Sequence, residues 1–179
     1  MKELDKIIVS DNSYKSSDPY RLIDSNITVI NLLRDEKIDP KFFHSDSKIS
    51  YCVDYYLAQY KNGNFSQFVW NSKWENELND DIASGLKKMG AEKHLKLFIK
   101  QSEKVNTLSK TELQDFLQSE YFGDNPTRDF LNNDQFYNLD EDLIALNSQW
   151  LRNHPDLLVL SINDMFMELE KFIGRKINH

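Results

Sequence analysis

The sequence predicts an all-α protein, a single compact multi-helix domain with short loops and a loosely ordered N-terminal arm. Three observations predict it. Apolar residues recur at three- and four-residue spacings along most of the chain, which lines them up on one side of a helix. Pairs of helix-start residues precede several of these stripes, and glycine or proline follows them. With 179 residues, 40% of them hydrophobic and 12% aromatic, the chain can bury a real core and is not disordered overall.

Residues 1–17 read as the arm, in which Ile7-Ile8-Val9 can dock as a short extended segment. The helical domain spans 18–179. Asp18-Pro19 opens its first helix, because the carboxylate caps free amides and proline needs no amide in the first turn. Leu22, Ile23, Val29, Ile30 and Leu33 carry the apolar side to about Lys37. The run Ile27, Thr28, Val29, Ile30 is rich in β-branched residues and keeps a strand as the minor alternative. Asp39-Pro40 repeats the start signal before Lys41-Phe42-Phe43.

The central stretch organises the rest. Val53, Tyr56, Leu57 and Tyr60 share one helix side, and Asn62-Gly63 is expected to end that helix with a left-handed glycine. Phe65, Phe68, Val69 and Trp70 follow as a short inward-facing aromatic segment. Ile82, Leu86 and Met89 form a further stripe that stops at Gly90; Ala91, Leu95 and Phe98 form another, with His94 beside it. Ser109 and Glu112 have the spacing of a capping box for a helix through Leu117. Gly123-Asp124-Asn125-Pro126 breaks the pattern before a short turn over Thr127 to Leu131. Asp140 or Asp142 opens a helix through Leu143, Leu146, Trp150 and Leu151, closed by His154-Pro155. Leu157-Leu158-Val159-Leu160 is compatible with a strand or a buried helix end. Ser161 and Asp164 start the last helix, with Met165, Phe166, Leu169, Phe172 and Ile173 inward and Gly174 at its end. The sum is eight or so helices.

Charge is unevenly placed. The net charge is −7, yet residues 1–50 hold 9 acids and 8 bases and residues 51–100 hold 6 and 7. Residues 101–179 hold 14 and 7, and the excess concentrates in 112–142. There Glu112, Asp115, Glu120, Asp124, Asp129, Asp134, Asp140, Glu141 and Asp142 oppose only Arg128. A surface that seeks phosphate needs the opposite sign, so direct nucleic-acid binding is not expected. No apolar run approaches the roughly 20 residues of a membrane span, and Met1-Lys2-Glu3-Leu4-Asp5-Lys6 lacks the character of a signal peptide, so a cytoplasmic location is expected. The lone Cys52, in an apolar setting, reads as a buried thiol.

Catalytic and metal patterns are not found. His44, His94, His154 and His179 are widely separated, and His94 reads as a packed histidine. The Asp134 to Asp142 piece lacks the mid-loop glycine of a calcium loop. There is no phosphate-cradling glycine loop and no nucleophile elbow. A non-enzymatic protein without metal or cofactor is expected, and the carboxylates Asp115, Glu120, Asp124, Asp129, Asp134, Asp140, Glu141 and Asp142 are the pool of contact residues for a basic protein partner.

Tyr55-Tyr56, Asn62-Gly63-Asn64-Phe65, Gln67-Phe68, Asn71-Ser72 and Met89-Gly90-Ala91 stand in order at the distances of a known pattern. The stretch resembles the bacterial DNA-mimic family, acidic all-helical proteins typified by a Neisseria DNA mimic. A weaker likeness continues through Leu139-Asp140 and Leu151-Arg152-Asn153-His154-Pro155, so it covers about residues 50–160. Asn64 stands where the family has a second glycine. If that position needs a positive φ, asparagine is the next most tolerant residue; if it needs close backbone approach, Asn64 opens the corner. Asn62, Gln67 and Asn71 are read as structural, their amides tying the turn to its neighbours. The resemblance implies a protein that blocks a helix-turn-helix regulator by occupying its DNA-binding surface, and by family analogy a homodimer. An alternative is an immunity protein that occludes the cleft of a toxin such as a nuclease; a neighbouring toxin gene favours that reading, and co-purification with a transcription regulator favours the first.

Overall fold

The start signals read in the sequence act where they stand. Asp18 accepts the Tyr20 amide at 3.0 Å and opens α2 (Tyr20–Asp35). Asp39 accepts the Lys41 amide and opens a 3-10 turn at Pro40–Phe42. Ser109 and Glu112 form the expected capping box. The computed structural model describes residues 2–177, so Met1 and His179 lie outside the described residues. Nine α-helices occur among the described residues, with one two-stranded sheet. The protein is all-α apart from that pair. No helix of the described residues is long and apolar enough to cross a membrane.

The chain packs as two units, residues 1–51 with 144–179, and residues 52–143. In the first unit, β1 (Ile7–Ser10) pairs in parallel with β2 (Leu157–Leu160), Ile7 opposite Leu157. The apolar triplet of the arm therefore docks as an extended segment. Both faces of the pair are covered. Ile8 packs with Val29, Ile30, Leu33, Phe43, Met165 and Leu169, while Ile7 and Val9 pack with Leu22, Ile23 and Leu151. A strand packed on both faces reads as one continuous apolar run, which is why Leu157–Leu160, half-buried on each face, has no alternation. Around the pair lie α1 (Asp11–Lys15), α2, and α9 (Ile162–Ile173), whose N-cap is Ser161 and whose C-cap is the left-handed Gly174. A buried amide pair adds to the packing: Asn26 donates to Ser47 O and Asn147 to Ser50 O, at 3.0 and 3.1 Å.

The second unit is built differently. Its centre is aromatic: Tyr56, Tyr60, Phe65, Phe68, Phe98 and Phe136 meet in edge and tilted contacts, with Tyr60 stacked on Phe136 at 4.0 Å between centroids. Such pairs add about 0.5–1.5 kcal/mol beyond the area they bury. The elements are the later part of α3 (Ser45–Ser72), α4 (Asn76–Lys88), α5 (Glu92–Asn106), α6 (Lys110–Gln118), α7 (Pro126–Leu131) and a 3-10 turn at Asp134–Asn138. Helix α8 (Leu143–Arg152) follows and, from Ile144 on, belongs to the first unit. Gly90 ends α4 with φ 72°; the Ala91 amide reaches Leu86 O and the Gly90 amide reaches Lys87 O, the two bonds of a Schellman cap. His94 is buried against Phe136, and Cys52 is a buried thiol outside any disulfide, its sulfur 4.0 Å from Asp81 Oδ2.

Candidate protein-binding site

The site grows from the corner inside α3. Gly63 was expected to be left-handed and is not: its φ is −163°, an extended value open to any residue. The left-handed residue is Asn64, at φ 68° and ψ −171°. Glycine is needed at 63 for space, since a Cβ there would lie 2.0 Å from Gln67 Oε1 and 2.9 Å from Gln67 Cβ. Of the two readings of Asn64, the positive φ is the one realised. Its side chain holds the strained backbone in place. Oδ1 accepts the amides of Phe65 and Asn133 at 2.7 and 2.9 Å, and Nδ2 donates to Asp134 at 3.1 Å. Gln67 and Asn71 both donate to Gln59 Oε1, tying the two arms of the kink together, and Asn62 is exposed.

The eight predicted contact carboxylates all belong to this segment of the fold but play different parts. Asp115 on α6, and Glu120 and Asp124 in the loop after it, are exposed and make no ion pair among the described residues. Asp129 is exposed and pairs with Arg128 at 2.8 Å. Arg128 also donates to Tyr121 O and Gly123 O, so one guanidinium folds the 121–129 loop around itself. Glu120, Asp124 and Asp129 are thereby brought onto one loop. Asp134 is held by Asn64. Asp140 pairs with Lys93, whose ammonium holds the Asp140 carboxyl below its ordinary range. Glu141 is turned to the chain itself: its two oxygens accept the Lys93 and His94 amides at 2.9 to 3.0 Å. Ala91 offers α5 no side-chain cap, and Glu141 supplies one from 47 or 48 residues away. Asp142 is exposed. Glu112 is spent on the capping box, and the Ser109 hydroxyl and amide hold its carboxyl low.

At Glu120 lies a groove of about 550 Å³, lined also by Gln67, Trp70, Asn71, Gln118, Ser119, Tyr121 and Phe122. Trp70 donates its indole N–H to Ser119 O at 3.1 Å. The Tyr121 hydroxyl donates to Gly63 O at 2.8 Å and lies 2.8 Å from Ser66 Oγ. Phe122 stands edge-on to Tyr121 at 5.5 Å and is 84% exposed. Sequence periodicity misses this groove, because Tyr121 and Phe122 lie in a turn and belong to no helical stripe. The signal that was there is two adjacent aromatics between Glu120 and Gly123, in a stretch with no apolar period to absorb them.

Among the described residues no group of three or more histidine, cysteine, aspartate or glutamate side chains is placed to hold a metal ion. No curated protein and no solved structure matches the chain. The family model described as DMP19-like protein matches residues 41–154, a span that contains the α3 corner, the Schellman cap, the groove and all eight carboxylates predicted from the sequence as contact residues. The chain belongs to the DMP19-like family of DNA-mimic proteins.

Proposed function

We propose that this chain is a non-catalytic protein-binding module that blocks a basic, DNA-binding protein by presenting carboxylates where that protein expects phosphates. The observation that carries the reading is the set Asp115, Glu120 and Asp124, exposed and without ion pairs on a scaffold fixed by capped helices. Duplex DNA offers one negative charge per about 1.7 Å of axis, and a protein built to meet that field is drawn to a comparable array of fixed carboxylates. Family membership supports the same reading, since DNA-mimic proteins act on proteins that bind DNA. Asp129, Asp134, Asp140 and Asp142 extend the field at its edges. Glu141 contributes little, its charge being taken up at the N-terminus of α5. Binding of this kind is fast and weakens with salt.

The test is capture from a lysate of the encoding organism on the immobilised full-length chain at low salt, followed by elution with short duplex DNA. The expected result is a DNA-binding protein released by the duplex and held poorly by the triple variant D115N/E120Q/D124N. If nothing retained is released by duplex, or the triple variant retains the same protein equally well, the proposal is wrong.

A further inference from the structure

We infer that the aromatic groove beside Glu120 is an anchor slot for an arginine side chain of the protein partner. The inference rests on the blocking role proposed above and adds to it the place and the chemistry of the contact.

The groove is electron-rich. Its two inner walls are the rings of Trp70 and Tyr121, 5.7 Å apart between centroids. Both walls have already spent their own donors: the indole N–H on Ser119 O, the phenol O–H on Gly63 O. What they leave to a visitor is π surface, apart from the part of the Trp70 ring that Lys73 Nζ already covers. The lip carries Glu120, a carboxylate with no ion pair among the described residues. Asn71 Oδ1 and Gln118 Oε1 accept no hydrogen bond from the described residues, so two further acceptors stand on the lining. Phe122 projects beyond the lip with 84% of its surface exposed, held only edge-on against Tyr121.

A slot made of π faces, amide oxygens and one carboxylate is matched by a flat cation that carries several donors. Guanidinium has that form: it stacks on aromatic rings, forks onto carboxylates and sheds water more easily than an ammonium group. The chain shows the same chemistry within itself, since Lys73 Nζ rests 4.3 Å from the centroid of the Trp70 ring. Charge complementarity argues against a second copy of this acidic chain as the occupant. A partner shaped to hold DNA presents arginines on its surface, and one of them, entering between Phe122 and Trp70, would convert a long-range attraction into a fixed register.

The test titrates the full-length chain with a hexa-arginine and a hexa-lysine peptide at one ionic strength, following the ¹⁵N-indole signal of Trp70. The expected result is saturable movement of that signal with the arginine peptide and a preference for it of roughly two- to fivefold over lysine, the size of an exposed cation–π contact. F122A should remove the preference while leaving hexa-lysine binding unchanged, and D115N should lower both affinities together. Phe122 is exposed, so the variant folds; E120Q serves as the second variant and should narrow the preference while weakening both peptides as D115N does, since Glu120 also belongs to the charged set. Equal affinity for the two peptides, or a preference that F122A leaves intact, overturns the slot and leaves the charge-based blockade standing. Failure of both peptides to bind overturns both. Concentration-dependent dimerisation abolished by F122A assigns the groove to a second copy and also overturns the inference.

Discussion

The two units of this chain handle charge and packing in opposite ways. Residues 52–143 hold 16 acids and 10 bases, a net charge of −6, while the remaining residues hold 13 and 12, a net of −1. In the first unit the carboxylates are consumed locally. Eight of the thirteen, Asp11, Asp24, Glu36, Asp39, Asp46, Asp156, Glu168 and Glu170, stand within ion-pair distance of a lysine, arginine or histidine. In the acidic stretch of the second unit, Asp115, Glu120 and Asp124 have no such neighbour among the described residues. Unpaired like charges repel one another and do nothing for folding. Their stability must come from elsewhere in the unit, and the aromatic core and the α3 corner supply it. The lesson is that the second unit separates what holds it together from what it displays.

Breaking the aromatic core should have the largest effect. Tyr60 is fully buried, stacked on Phe136, and its hydroxyl donates to Asn133 O at 2.9 Å. Tyr60→Ala should cost about 3–5 kcal/mol in denaturant unfolding. Next comes the corner. Asn64→Ala keeps the strained backbone and loses all three side-chain bonds, at a cost of roughly 2–3 kcal/mol; Asn64→Gly loses the same bonds but relieves the strain, and should cost less. The order of the two variants is the informative result.

Acid should act on both units through buried histidines. Burial pushes the imidazoles of His44 and His94 below the ordinary histidine value. The unfolded chain then takes up these protons first as the pH falls, so stability is full above about pH 6.5 and declines below it. In the first unit the geometry shows why His44 resists protonation: its Nδ1 accepts the Asp46 amide at 3.2 Å, and a proton there would face another donor. His44→Asn keeps an acceptor at this cap without a titration, and should reduce the loss of Tm between pH 7.5 and 5.5. The smallest expected change is the most pointed. D115N/E120Q/D124N should alter stability by no more than about 0.5 kcal/mol, with any change upward.

Much of the fold was legible because its signals are local. Ser109 with Glu112, Ser161 with Asp164, and Asp18 or Asp39 before proline each cap the helix they announce. The apolar stripes at Val53, Tyr56, Leu57 and Tyr60 and at Ile82, Leu86 and Met89 are buried as their spacing requires. What was not legible depends on residues far apart in the chain. The positive φ of Asn64 was one of two readings the sequence offered, and what decides for it is the hold of Asn133 and Asp134, about 70 positions on. Glu141 looked like part of the acidic surface because nothing in its neighbourhood reveals that α5 begins without a cap. The groove was hidden for a similar reason: Trp70 and Tyr121 are 51 positions apart, and only the fold sets their rings side by side.

The central claim is that the unpaired carboxylates of the second unit act on a partner and not on the fold. Its most direct measurement is the association rate of the duplex-released partner with the wild-type chain and with D115N/E120Q/D124N, across a series of salt concentrations. The account predicts a wild-type rate that falls steeply with salt and a variant rate that is lower at low salt and flatter, with equal thermal stability. Equal rates and equal salt slopes for the two proteins would contradict it.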